Sequence, residues 1–149
     1  MITKYISSKL IEFRSDIKTI GEAIEACGQL LIDQGLITSD YTQSMVDTYK
    51  TFGPYMVLID NVALFHGKPG IGVNRTGMCL IVLEHSIDVE KTEKKLRLCF
   101  AFSSINHEDH IDMIQSFASF IMGSENLTVL MNSKSKSEVL ELFKQIGDK

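Results

Sequence analysis

Two apolar runs in the second half of the chain constrain its fold more than any other feature. Met78 to Leu83 is continuously apolar, and Leu96 to Phe102 is broken only by Arg97. Runs this short cannot cross a bilayer, which takes about 20 apolar residues. They also lack the polar alternation of a strand with one wet face, so they read as strands covered on both sides. Two doubly covered strands require helices above and below them, and the rest of the chain supplies helical signals. Thr19-Ile20-Gly21-Glu22 forms a capping box, followed by Ile20, Ile24, Cys27 and Leu31 at helical spacing and by Gly35 as a stop. Ser39 is the expected cap of a second helix with apolar positions Tyr41, Met45, Tyr49 and Phe52, ended by Gly53-Pro54. Asn106 caps a third helix marked by Ile111, Ile114, Ala118 and Ile121. A second capping box, Ser135 to Glu138, opens a terminal helix with Val139, Phe143 and Ile146 on one face.

Between these helices lie further short apolar runs, Met56 to Ile59 and Val62 to Phe65, separated by the turn-prone pair Asp60-Asn61. A weaker strand is expected from Ile11 to Ile17. Two helices, a cluster of strands and two more helices predict an α/β protein, a single domain over residues 1–149 with one mixed central sheet between helical layers.

Composition narrows the function classes. The hydrophobic share of 44% and charged share of 23% are those of a folded protein. A net charge of −4 with no basic stripe disfavours nucleic acid as a partner, and no direct membrane insertion is expected. Cys27, Cys79 and Cys99 are isolated in apolar segments, with no CxxC and an odd count. They suit a reducing compartment, and Met1 to Tyr5 lacks the apolar stretch of a signal peptide, so the expected location is cytoplasmic.

His66 is the first candidate for chemistry. It closes the run Val62 to Phe65 and opens the loop Gly67-Lys68-Pro69-Gly70-Ile71-Gly72. A strand end places its ring at the rim of a sheet, and bare glycines allow another surface to approach. Neutral imidazole is a nucleophile able to carry a covalent group. The plainer reading is a histidine that merely terminates a strand. The glycines do not form a nucleotide loop: GxxxxGK[ST] is absent, and the glycine that would complete a GxGxxG is replaced by Arg75. His107-Glu108-Asp109-His110 puts two histidines on one helix face, the spacing of metal ligands, but also of an acidic first turn favoured by the helix dipole. His85 is expected at an exposed strand end without a function.

The segments Gly53-Pro54-Tyr55-Met56-Val57-Leu58, Val62-Ala63-Leu64-Phe65-His66-Gly67-Lys68-Pro69, Gly72-Val73 and Thr76-Gly77 together resemble the IIA domains of the bacterial phosphotransferase system. The resemblance is to the fructose/mannitol superfamily, closest to its ascorbate-type branch, and it extends over nearly the whole chain. It implies a phosphoryl carrier of a sugar phosphotransferase system, with His66 accepting phosphate from the phosphocarrier protein HPr. His66 would then pass it to a cysteine of a IIB partner, which serves a membrane IIC permease. The family's second histidine precedes a helix in the pattern H-ψ-x-x-ψ, where ψ is apolar. His110-Ile111-Asp112-Met113-Ile114 matches it, which makes His110 the expected support and His107 the alternative. Backbone N–H groups near Gly67 would assist, with no metal and no cofactor. Two positions depart from the pattern: Phe65 stands where the family usually has proline, and Lys50 is the one cation between Met45 and Phe52, where mannitol-like members carry an arginine. A IIA-like regulatory module, controlling a partner by its phosphorylation state, is the competing expectation. A metal-dependent hydrolase using His66, His107 and His110 is a more distant one.

Overall fold

The computed structural model describes residues 2–147, and the change of hydrophobic period along the chain becomes a change from helix to strand where expected. Short 3-10 turns at Ile2–Lys4 and Ser8–Leu10 lead into β1 (Ile11–Arg14), followed by α1 (Ile20–Asp33) and α2 (Ser39–Phe52). A 3-10 turn at Gly53–Met56 precedes β2 (Val57–Ile59) and β3 (Asn61–Phe65). Then come the long strands β4 (Gly77–Asp88) and β5 (Lys95–Ser103), and finally α3 (His107–Ile121), α4 (Ser124–Asn132) and α5 (Lys136–Gly147).

The five strands form one sheet in the order β1-β4-β5-β3-β2. β1 is parallel to β4, β4 antiparallel to β5, β5 parallel to β3 and β3 antiparallel to β2, so the sheet is mixed. The register shows which residues face which layer. Leu80 and Leu64 both pair with Phe100, whose ring packs edge-on against Phe117 of α3 at 5.0 Å and Phe120 at 6.4 Å. Neighbouring side chains alternate across a sheet, so Cys79, Ala101 and Phe65, which share the next rung, face the other way. There the Cys79 thiol meets the Cys27 carbonyl of α1 at 3.8 Å. Helices therefore cover both faces, and Met78 to Leu83 is buried throughout. This is the α/β sandwich anticipated from the apolar runs.

Both capping boxes form. The Thr19 hydroxyl accepts the Glu22 amide at 3.1 Å, and the Ser135 hydroxyl accepts the Glu138 amide at 3.2 Å. Gly53 ends α2 at φ 72°, a conformation that favours glycine.

Several expectations are corrected. Ser39 lies inside α2, whose cap is Thr38 without a side-chain hydrogen bond, and Phe52 is 62% exposed rather than on the buried face. β1 stops at Arg14, short of Ile17. The turn between β2 and β3 is Asp60 alone, and Asn61 begins β3 at φ 72°. α3 buries Met113, Phe117 and Phe120, while Ile111 and Ile114 face solvent. Both sets have helical spacing, and the set with two phenylalanines wins because it removes more apolar area from water. α4 was not anticipated: it is short, begins at Gly123 without a capping side chain, and buries only Leu127 and Leu130. His85 is exposed but lies within β4, not at its end.

Phe100→Ala removes the ring that joins the sheet to α3. It is expected to lower stability by about 3–5 kcal/mol, readable as a reduced midpoint in urea unfolding. An unchanged midpoint would refute the packing described here.

Candidate functional site

The carboxyl ends of the parallel strands β3 and β5 meet at one edge of the sheet, and His66 follows directly on β3. By alternation its ring belongs to the α3 side, where it stacks on Phe102 of β5 at 5.8 Å with 27° between ring planes. His66 Nδ1 lies 3.2 Å from the Leu64 carbonyl oxygen. A carbonyl can only accept, so Nδ1 carries the hydrogen and the neutral ring keeps its lone pair on Nε2.

His110, in the first turn of α3, approaches the same aromatic ring from the helix, 5.3 Å from Phe102. Its Nδ1 is 3.4 Å from the Ser104 hydroxyl. Burial, followed by repulsion from the His66 and His107 rings, holds its pKa below the ordinary 6.5, so His110 is neutral at pH 7. The structure thus brings His66 and His110 together around Phe102. His107, by contrast, is exposed. It borders a cleft of about 430 Å³ between the Pro69–Gly70 loop and the Ser104–His107 segment, with His110 also in its lining. Among the described residues no group of three or more His, Cys, Asp or Glu side chains is arranged to hold a metal ion, so the HEDH run does not assemble into the ligand set that a hydrolase would use.

Gly67 sits where the loop after His66 meets α2. Its amide already donates to the Tyr41 hydroxyl at 3.0 Å, and the Lys68 amide donates to the Ser44 hydroxyl at 2.7 Å. Neither is a free donor for an anion in this arrangement. What position 67 requires is smallness: a Cβ there would lie 2.8 Å from Ser44 Oγ and 3.1 Å from Tyr41 Cε1. The same Tyr41 hydroxyl donates to the Phe102 carbonyl at 2.7 Å. One buried side chain of α2 therefore ties β5 to the loop after His66. Gly72, at φ 69°, closes that loop by accepting the Thr38 amide at 2.8 Å. Phe65 is fully buried on the α1 side, while Lys50 is exposed.

Tyr41, Ser44, Phe102 and Ser104 are the parts of the site that sequence reasoning missed. Tyr41 is a core position of α2, as its spacing predicts; no local signal shows that its hydroxyl reaches two backbone groups of other elements.

Comparison with known proteins gives a consistent answer. A family model described as phosphoenolpyruvate-dependent sugar phosphotransferase system, EIIA 2, matches residues 4–146. The mannitol-specific cryptic phosphotransferase enzyme IIA component of Escherichia coli is 26% identical over 142 residues, covering 95% of this chain and 97% of that protein. The ascorbate-specific EIIA component of the same organism is 25% identical over 138 residues, covering 91% and 90%. The solution structure of the mannitol-specific cryptic enzyme IIA superposes with a TM-score of 0.84, covering 97% of this chain and 98% of that one at 26% identity. The mannitol IIA enzyme in complex with phosphorylated enzyme IIB, also from Escherichia coli, superposes at 0.83, covering 94% and 97% at 25% identity. No helix among the described residues is long and apolar enough to cross a membrane. The motif around His66, the sheet that presents it and the family match over nearly the whole chain agree: this chain belongs to the EIIA type 2 family of the phosphoenolpyruvate-dependent sugar phosphotransferase system, in its ascorbate/mannitol branch.

Proposed function

We infer that the chain is a cytoplasmic phosphoryl carrier that takes a phosphoryl group from phosphorylated HPr onto His66 Nε2 and passes it to a cysteine of a cognate IIB protein, for uptake through a IIC permease. The observation that carries this reading is the contact between His66 Nδ1 and the Leu64 carbonyl at 3.2 Å. It leaves Nε2 as the nucleophile and makes Nδ1–H a fixed donor. As the Nε2 lone pair bonds to phosphorus, the P–N bond to the donor breaks and its electron pair leaves with the donor imidazole. The His66 ring gains positive character, which the Leu64 carbonyl stabilises through the Nδ1 hydrogen. In the second transfer a thiolate sulfur attacks phosphorus, and the P–N pair returns to Nε2. Phosphoryl transfer depends on positioning and on stabilising oxygen charge. Neutral His110 supplies an N–H donor for the phosphoryl oxygens without placing a second positive charge beside the His66 ring. The solved complex of a relative with phosphorylated enzyme IIB supports a IIB partner.

Purified protein incubated with phosphoenolpyruvate and the general phosphotransferase proteins should acquire one phosphoryl group, labile to acid and stable to alkali. His66→Ala should lose it while unfolding cooperatively as before, since His66 is outside the buried core. Label on a serine, or retained in His66→Ala, would overturn the assignment.

His110→Ala should slow phosphorylation of His66 by at most about 100- to 1000-fold, the range for one charge-stabilising donor, and a chelator that leaves the upstream phosphotransferases undisturbed should leave both rates unchanged. An NMR titration of the histidine rings should place the His110 midpoint below 6.5. Its neutral form would then prevail at all higher pH, and stability contributed by the neutral ring would be lost as pH falls through 6.5 towards that midpoint. A midpoint above 6.5, or chelator-sensitive transfer, contradicts the mechanism.

Tyr41→Phe leaves the Phe102 carbonyl and the Gly67 amide without their shared partner, which is buried. It should lower stability by about 1–3 kcal/mol and slow transfer as well, because the loop after His66 loses its tie to β5. Unchanged stability in chemical denaturation would refute the tie.

A further inference from the structure

We propose that Thr76, the residue immediately before β4, is a positioning residue for phosphoryl transfer: its hydroxyl holds the first turn of α3 in the orientation that brings His110 to Phe102 and His66. This rests on the supporting role given above to His110. The case begins with what does not hold that turn. The buried residues of α3 are Met113, Phe117 and Phe120, all beyond the first turn. His107 and Glu108 are exposed, and Asp109 and His110 only half-buried, so core packing grips the body of the helix and leaves its first turn to the Phe102 contact and to polar links.

Thr76 supplies two of them from one oxygen. Its hydroxyl donates to the Asp109 carboxylate at 2.8 Å and accepts the Ile105 amide at 2.9 Å. It therefore grips the chain on both sides of the cap, the last loop residues and the first helical turn together. Asn106 caps the same turn by accepting the Asp109 amide at 2.8 Å, so Asp109 is held at its backbone by the cap and at its side chain by β4. His110 is the next residue, and its ring rests on Phe102 and Ser104. A second link, from the Tyr5 hydroxyl to the Asp112 carboxylate, lies further along the helix and fixes its body rather than its cap. Losing the Thr76 hydroxyl frees the Asp109 side chain and the Ile105 amide together, and lets the first turn rotate or fray. The His110 ring is displaced with that turn, while the His66 strand is untouched.

The test uses the intact protein, with phosphorylated HPr as donor and phosphorylation of His66 as the readout. Thr76→Val keeps the shape and removes both hydrogen bonds; Thr76→Ser keeps both. Misplacing a group by about 1 Å can slow a reaction by up to about 100-fold. Thr76→Val should therefore transfer about 10- to 100-fold more slowly, and Thr76→Ser should stay within about twofold of the parent. In a His110→Ala background, Thr76→Val should slow transfer by less than about a further twofold, because a residue that acts through His110 has nothing left to position. Thr76→Val at the parent rate, or a full additional loss in the His110→Ala background, overturns the proposal. His110→Ala at the parent rate instead overturns the role of His110 itself, so the two failures are distinguishable. If Thr76→Val does not fold, Asp109→Ala replaces it. That change releases the helix side of the grip, and it should slow transfer in the parent but not in the His110→Ala background. Equal losses in both backgrounds would again defeat the proposal.

Discussion

The central part of the β4–β5 ladder has no polar face: Met78 to Leu83 and Leu98 to Phe102 are buried on both sides of the sheet. A pair of strands in that condition can exist only if each face receives its own helical layer, and the remainder of the chain answers that demand. α1 covers the face carrying Cys79, Ala101 and Phe65, with α2 packed against α1, while α3 covers the face carrying Leu80, Phe100 and Leu64. The three cysteines follow from the same constraint. They are fully buried, and burial pushes the Cys27 and Cys99 thiols well above their usual range, so they serve as small apolar residues rather than nucleophiles.

The site is a consequence of where this ladder ends. β3 and β5 run parallel, so both deliver their carboxyl ends to one edge, the general location of sites in open α/β sheets. Phe102 is the last large core residue of β5 and the common support of the His66 and His110 rings. His66 is thus held against the hydrophobic core at the rim of the sheet, its Nδ1 turned to the Leu64 carbonyl. The Tyr41 hydroxyl then joins this edge to α2 through the Phe102 carbonyl and the Gly67 amide. The loop after His66 acquires a defined path although Lys68, Pro69 and Gly70 are exposed.

Legibility followed the range of the interactions involved. Features that depend on a few adjacent residues were readable: the capping boxes at Thr19 and Ser135, the stop at Gly53, the doubly buried strands, and His66 at a strand end. Features decided by competition between surfaces were not. Ile111 and Ile114 have the same helical spacing as Met113, Phe117 and Phe120, and only packing against Phe100 selects the second set. α4 carries too little apolar surface to announce itself without the neighbours that bury Leu127 and Leu130. Gly67 invited a reading as an anion-binding amide because its sequence context contains nothing of Tyr41 or Ser44, which lie more than twenty positions away and leave no room for a side chain.

By itself, then, the sequence determined the order of the strands and of every helix but α4, the burial of the central strands on both faces, and the placing of one histidine at the end of β3. These follow from hydrophobic period and local capping, which act over one or two turns of chain. Tertiary structure decided what surrounds the two histidines of α3: His110 rests on Phe102, and His107, in the same helical turn, is exposed. That difference depends on how α3 leaves its cap, where Thr76 and Asn106 hold its first turn by hydrogen bonds. Residues distant in the chain fix that geometry, and they become neighbours only when the sheet has formed.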